Sequence, residues 1–404
     1  MKPIVSIIGL GKLGASMMGC FSSKNIEVLG YDNNPKVVNL VKKGKSPVDE
    51  TGLEDLIKKY KKNILVTNNL KNLLDKTNIT FIVVPTPTAN DGSYDLKIIK
   101  KSLIKFSKLL KNKNKYHLIV LCSTVLPEDS ENKLIPIIEK YSQKTFKKNF
   151  GFIYSPEFIS LGNIISEYLN PEIVLIGSES EKDNKILSNI YKKLYSPKKF
   201  KFMNLKEAEL TKISVNSLMT AKISFSNMIG LFCLNMKNAN SNLVLGSVKN
   251  FFENFKKGYK SGLGYGGPCL PRDNLALLYL NNKFGLNINM PKSIDQTNNS
   301  IPENLFNIFF KKIKNKKILF IGISYKPLTS YYEKSQSILL LKKVSKNNVV
   351  SVFDYNPITI KFDSKIKIKK NITNAIKAND IIVLCHLDKR YKKLNLKDKK
   401  VIDF

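Results

Sequence analysis

Met1-Lys2-Pro3-Ile4-Val5-Ser6-Ile7-Ile8-Gly9-Leu10-Gly11-Lys12-Leu13-Gly14 opens the chain, and its reading decides the fold. Ile4–Ile8 is an apolar run of strand length, too short for a signal peptide, and it leads straight into a Gly-x-Gly-x-x-Gly turn and a helical pattern. In that context each glycine has a task. The first permits the tight turn, the second lets backbone amides approach a pyrophosphate, and the third lets helix and strand pack closely. The helix start adds partial positive charge where phosphates would lie. A second strand ends at Tyr31-Asp32, where a carboxylate accepts hydrogen bonds from a ribose 2′-OH and repels a 2′-phosphate. The expected cofactor is therefore NAD, with Gly9, Gly11, Lys12, Leu13, Gly14 and Asp32 around it.

Outward from this turn, Ile26–Gly30, Phe81–Val84, Leu118–Cys122 and Ile173–Ile176 read as further buried parallel strands separated by lysine-rich amphipathic segments. That alternation is the signature of a doubly wound sheet. From Leu205 to Leu234 the pattern becomes one long helix, interrupted by glycine only at Gly230, and a glycine-rich loop follows at Gly258–Asp273. Strand–helix alternation returns with Ile318–Ile321, Val349–Phe353 and Ile381–Leu384. The expected fold is α/β, with two Rossmann-like doubly wound domains joined by a helical middle domain that contains a long central helix. The boundaries read as 1–204, 205–311 and 312–404.

Composition narrows the function. The chain has 404 residues, 43% hydrophobic and 25% charged, the profile of an ordinary globular protein rather than a disordered or fibrous one. No uninterrupted apolar run approaches the roughly twenty residues of a membrane span, so no membrane partner and a cytoplasmic location are expected. The net charge of +35 attracts anions. It is carried almost entirely by lysine, with Arg272 and Arg390 the two arginines, and the lysines are spread along the chain. Base readout relies on arginine and on clustered charge, so a small anionic substrate fits better than nucleic acid. The two histidines, His117 and His386, are far apart, which argues against a histidine metal site or a Ser-His-Asp triad, and no metal is expected.

Five cysteines form no Cys-x-x-Cys pair. Four of them, Cys20, Cys122, Cys233 and Cys385, fall in apolar helix or strand patterns and read as small buried residues. Cys269 instead lies in Gly262-Leu263-Gly264-Tyr265-Gly266-Gly267-Pro268-Cys269-Leu270-Pro271-Arg272-Asp273, where glycines let backbone approach a ligand. Arg272 and the helix start bring positive charge beside the thiol, and Asp273 adds a carboxylate. On the long helix, Glu209, Lys212 and Asn216 share one face. A lysine and an asparagine one turn apart can stabilise an oxyanion, although such a trio also suits a solvated helix face.

Taken together, these residues resemble the UDP-glucose/GDP-mannose dehydrogenase family. The resemblance rests on Gly9–Gly14 with Asp32, Val84-Pro85-Thr86-Pro87 followed by Asp91-Gly92, Ser123-Thr124-Val125, Tyr154-Ser155-Pro156-Glu157-Phe158, the Glu209/Lys212/Asn216 helix, and Gly264 through Asp273. Gly322-Ile323-Ser324-Tyr325-Lys326-Pro327-Leu328-Thr329 and Phe353-Asp354-Tyr355-Asn356-Pro357 extend it to the last domain. The chain departs from the pattern at Ser330–Gln336, where Glu333 stands in place of an arginine, at Arg272, where lysine is usual, and around Glu253-Asn254-Phe255, which lacks an arginine.

The resemblance implies a two-step, four-electron oxidation of a nucleotide-sugar C6 alcohol to the uronic acid through a cysteine thiohemiacetal and thioester. UDP-glucose is the leading substrate, with GDP-mannose or a UDP-N-acetylhexosamine as alternatives. It assigns nucleophilic attack to Cys269, oxyanion stabilisation to Lys212 and Asn216, a water to Asp273 and Thr124, and general-base work to Glu157. Pro85, Thr86, Ser123 and Thr124 would line the NAD site. Glu157, Phe158, Lys212, Asn216, Gly264, Tyr265, Gly266, Gly267 and Lys326 would contact the sugar nucleotide. A single-hydride 3-hydroxyacid dehydrogenase, and a basic polyanion-binding scaffold with a relic fold, are the competing readings. A homodimer through Leu210–Leu234 is expected, using Ile213, Leu218, Ile223, Met228 and Phe232.

Overall fold

A computed structural model describes residues 5–251, 258, 260–364, 366–386 and 388–404. Ile4 and the Glu253-Asn254-Phe255 stretch lie outside the described residues. The chain forms two compact units, Met1–Ile213 and Ser214–Phe404, whose boundary falls inside the 30-residue helix Leu205–Leu234.

The first unit is built on eight strands: β1 (Val5–Ile8), β2 (Val28–Tyr31), β3 (Ile64–Thr67), β4 (Ile79–Ile82), β5 (His117–Leu121), β6 (Phe150–Tyr154), β7 (Val174–Ser178) and β8 (Phe200–Met203). Their order is β3-β2-β1-β4-β5-β6-β7-β8. The inner strands are apolar runs buried from end to end, which a sheet covered on both faces requires. The order reverses between β1 and β4, which pair in parallel. At such a switch point the connections diverge and leave a crevice at the carboxyl ends of the strands.

The expectation of a wholly parallel sheet needs one correction. β7, read from Ile173–Ile176, pairs antiparallel with β6, placing Ile153 opposite Ser178, and parallel with β8. The connection between β6 and β7 carries one helix, Ile164–Leu169, and the chain re-enters the sheet at the end where it left β6. Beneath the sheet, Phe21, Phe81, Tyr168, Tyr191 and Tyr195 form an aromatic core with ring centroids 5.2–6.2 Å apart.

The second unit continues the long helix with helices Ser241–Phe251, Leu270–Lys283 and Met290–Leu305. It ends in a parallel sheet of β9 (Lys317–Ile321), β10 (Val349–Phe353), β11 (Ile366–Ile368), β12 (Ile381–Leu384) and β13 (Lys400–Asp403). The order β11-β10-β9-β12-β13 repeats the first five strands of the larger sheet. The fold is thus α/β with two parallel-type sheets and a long central helix, as expected. By length and composition that helix also passes as a membrane span, which a search for uninterrupted apolar runs overlooks. Its buried Glu209 and Lys212 mark it as a core helix.

Candidate active site

In the first unit the predicted cofactor residues converge on the carboxyl ends of β1, β2, β4 and β5. Gly9 leaves β1 at φ +95° and donates its N–H to the Tyr31 carbonyl at 2.9 Å. A Cβ at Gly14 would lie 1.9 Å from the Gly9 carbonyl oxygen, so close packing of the helix start on the turn demands glycine there. Gly11 differs from both, because nothing lies within 4 Å of where its Cβ would stand. As N-cap of the helix Lys12–Ser23 it provides no side-chain cap, and the first-turn amides are left for an anion. The open face at Gly11 is the cradle a pyrophosphate fits. Asp32 braces the turn: Oδ2 accepts the Leu10 N–H and Oδ1 the Asn34 N–H, both at 2.9 Å.

Pro85 and Thr86 follow β4, and Ser123 and Thr124 follow β5. The two loops are joined at Ser123, whose hydroxyl donates to the Val84 carbonyl at 2.7 Å and accepts the Val84 N–H at 2.9 Å. Thr86 and Thr124 are buried.

Glu157 and Phe158 leave the end of β6 and meet the long helix at Lys212. The Lys212 ammonium donates to the Glu157 carbonyl at 2.7 Å and sits 4.7 Å above the Phe158 ring. Lys212 is 8% exposed and Glu209 is fully buried, so this helix face is not the solvated one. Burial pushes the half-buried Glu157 carboxyl up to about 8, while the Lys212 charge pulls it down. Glu209 is committed elsewhere, accepting the amides of Glu128 and Ser130.

In the second unit Cys269 is exposed and forms the N-cap of the helix Leu270–Lys283, with the other four cysteines buried as the sequence suggested. Asp273, in the first turn, is fully buried and donates its N–H to the Cys269 carbonyl at 2.9 Å. Its carboxylate accepts the Asn216 side-chain amide at 2.5 Å and Arg272 Nε at 2.8 Å. Arg272, read as a charge beside the thiol, is thus bound to Asp273.

The glycine loop before Cys269 is held by residues that sequence reasoning missed. Tyr265 donates its N–H to Asn298 Oδ1 at 2.7 Å, and Asn298 Nδ2 donates back to the Tyr265 carbonyl at 3.1 Å. Gln336 Nε2 donates to the same carbonyl, and the Tyr265 hydroxyl to Asp295. The glycines read as openings for a ligand also meet packing constraints. Cβ atoms at Gly264 and Gly266 would meet Asn298 Oδ1 at 2.1 Å and the Lys334 carbonyl at 2.4 Å. Gly267, at φ +79°, gives its N–H to the Glu333 carbonyl at 2.9 Å and lies against the Tyr325 ring. That contact sets Lys326, the next residue, beside the loop. No short-range pattern announces Asn298 or Gln336, since each acts across more than thirty residues of chain.

The smaller sheet repeats the brace of the larger one. Asp354 follows β10 as Asp32 follows β2, accepting the Ser324 N–H at 3.1 Å and the Asn356 N–H at 3.0 Å.

A switch-point crevice with an open glycine cradle and a braced acidic residue is the arrangement of a dinucleotide-binding protein. Residues 3–195 match the NAD binding domain of the UDP-glucose/GDP-mannose dehydrogenase family, and residues 206–300 match its central domain. The chain belongs to this family and is an NAD-dependent nucleotide-sugar dehydrogenase. It is 29% identical to a GDP-mannose 6-dehydrogenase of Pseudomonas syringae pv. tomato, over 99% of this chain and 95% of that one. It is 28% identical to a UDP-glucose 6-dehydrogenase of Haloferax volcanii, over 88% and 83%. In fold it is similar to a UDP-glucose dehydrogenase from Pyrobaculum islandicum, with TM-score 0.91 and 24% identity over 100% of this chain and 94% of that one.

Proposed function

We propose that the protein oxidises the C6 alcohol of UDP-glucose to the carboxylate of UDP-glucuronate, removing four electrons in two steps. The observation that carries this reading is Cys269, the exposed thiol among five cysteines, at a helix N-terminus beside a buried, hydrogen-bonded Asp273.

NAD, held by the Gly9–Gly14 turn, Asp32, Pro85, Thr86, Ser123 and Thr124, supplies the hydride acceptor at each of two oxidations. In the first, C6 loses a hydride and its hydroxyl releases a proton to solvent, which leaves an aldehyde. The Cys269 sulfur then bonds to the aldehyde carbon, and the oxygen becomes the thiohemiacetal oxyanion. Lys212, fixed by the Glu157 carbonyl, offers its charge to that oxygen. Asn216 offers the amide hydrogen not given to Asp273. Loss of the second hydride gives a thioester. Water, oriented by Asp273 and Thr124, attacks the thioester carbon as Glu157 takes its proton, and the sulfur leaves as thiolate. A Glu157 carboxyl pushed up to about 8 is matched to such proton transfer. Phe158, Gly264, Tyr265, Gly266, Gly267 and Lys326 would contact the sugar nucleotide.

GDP-mannose is the second candidate substrate, favoured by the relatives at 27–29% identity that are GDP-mannose 6-dehydrogenases. A UDP-N-acetylhexosamine is a third. Purified protein incubated with NAD and each sugar decides among them. Two NADH per UDP-glucose support the reading, two per GDP-mannose transfer it to that sugar, and none with any sugar sinks it.

We also propose the division 1–204, 205–311 and 312–404, a cytoplasmic location, and a homodimer through Leu210–Leu234. Leu210, Leu218, Phe225, Met228 and Phe232 are exposed along that helix, whereas Ile213 is fully buried and serves packing within the chain.

A further inference from the structure

The loop leaving β5 turns at Glu128, which stands at φ +74°, a region that strains any residue with a Cβ. The turn is held from the long helix. Glu209 Oε2 accepts the Glu128 N–H at 2.8 Å, and Oε1 accepts the Ser130 N–H at 3.1 Å. Asp129 ties the same loop from within, accepting the Leu126 N–H at 3.0 Å and pairing with Lys133 at 2.7 Å. Glu209 is fully buried and lies one turn before Lys212. Burying a carboxylate is unfavourable unless its charge is met, and here two backbone amides at the start of a helical segment meet it. With both oxygens given to main chain, Glu209 is not placed to touch substrate.

We propose that Glu209 is a positioning residue: ionised, it locks the loop carrying Ser123 and Thr124 to the helix turn carrying Lys212. The inference rests on the dehydrogenase reaction proposed above. Loss of the clamp frees Glu128 to relax from its strained conformation, which shifts Thr124 and Ser123 relative to Lys212. The electrostatics give the clamp a pH dependence. Burial pushes Glu209 up to about 7, opposed by the Ser130 and Glu128 amides and reinforced by Asp129. The charged side chain that bears on it is Asp129, itself paired with Lys133. A protonated Glu209 would set a hydroxyl against an amide donor, and the clamp would open. The folded chain binds this proton more tightly than the unfolded one between 4.5 and about 7. Glu209 therefore favours the fold as pH falls, while alignment for catalysis is lost over the same range. The two signs are opposite, which separates positioning from mere support.

The test uses Glu209→Gln. Hydrogen–deuterium exchange of residues 123–134 is followed in cofactor-free protein at about pH 6 and about pH 8. In parallel, kcat and KM are measured across the same range. At the higher pH the variant's loop is expected to exchange at least about fivefold faster than wild type, with residues 5–14 unchanged, and at the lower pH the two proteins converge. The variant's kcat is expected to fall at least about tenfold, with KM for the sugar within about threefold, and to lose the part of the acid limb near 7 while the Glu157 part near 8 remains. Equal exchange at the higher pH, or a wild-type kcat profile despite lower thermal stability, overturns the proposal. Should the variant fail to fold, wild-type loop protection is compared at both pH values after correction for intrinsic exchange, and constant protection overturns the proposal. If wild type reduces no NAD with any nucleotide sugar, the reaction fails while the exchange arm still decides the clamp.

Discussion

Asn216 donates its side-chain amide to the buried carboxylate of Asp273 at 2.5 Å, joining the long helix to the turn that starts with Cys269. A helix-face asparagine thereby becomes the orienter of a carboxylate. Asn216→Ala removes a hydrogen-bond donor from the buried Asp273 carboxylate, which costs about 1–3 kcal/mol in stability. It is also expected to lower kcat by about one to two orders of magnitude, through lost oxyanion and carboxylate orientation. Thermal melts and steady-state NADH formation check the two effects, and unchanged kcat would remove Asn216 from the mechanism.

Two glycines of the opening turn, Gly11 and Gly14, should separate binding from folding. Gly11 has ordinary backbone angles and open space, so Gly11→Ala is expected to melt as wild type does and to bind NAD at least about tenfold more weakly by calorimetry. At Gly14 the new Cβ would press on the Gly9 carbonyl. Gly14→Ala is therefore expected to lower the melting temperature by several degrees, as overpacking of about 1–3 kcal/mol does. An alanine at Gly11 that leaves NAD affinity untouched would place the pyrophosphate elsewhere.

Cys269→Ser distinguishes the thioester route from a single-hydride dehydrogenase. Acid product is expected to fall by at least about three orders of magnitude, while residual aldehyde formation persists. Undiminished turnover would favour the single-hydride reaction. Brief iodoacetamide treatment of native protein should label Cys269 ahead of the four buried thiols, as peptide mapping reads out.

Glu157 predicts a pH effect with a definite sign. Its carboxyl, pushed up from 4.5 to about 8 by burial, must lose its proton to act as a base, so kcat limited by thioester hydrolysis rises with pH through about 8. The folded state binds that proton more tightly between those values, so this group makes the fold less stable as pH rises across the window. Glu157→Gln should remove both slopes and let the acyl-enzyme accumulate, visible by mass spectrometry. A rise of kcat through about 8 that survives the substitution would assign the base to another group.

Much of this was legible in the chain because the deciding signals are local. The Gly9–Gly14 turn, Asp32 and the helix Leu205–Leu234 depend on spacing over a few residues, and the helix has the bounds its pattern suggests. Cys269 stood out because its neighbours are glycines and prolines rather than an apolar run. Edge strands were harder to see: β3 and β8 are half exposed, so their apolar patterns are weak. The antiparallel step at β7 depends on the path of the connection before it, not on the composition of the strand. Long-range partners were invisible. Glu209 reaches back 81 residues to Glu128, and Asn298 reaches 33 to Tyr265. Both look from sequence like ordinary helix-surface polar residues, because a carboxylate or amide turned inward leaves no periodic trace.

The repeated aspartate brace has a counting consequence. In the larger sheet the second residue after the strand-end glycine is Gly11, open to solvent; in the smaller one it is Ser324, 1% exposed. There the Tyr391 hydroxyl and the His386 ring crowd Gly322, the nearer only 2.0 Å from where a Cβ would stand. Two copies of one topology thus present one vacant berth and one plugged with aromatic side chains, so a saturating titration should level off at a single dinucleotide per chain.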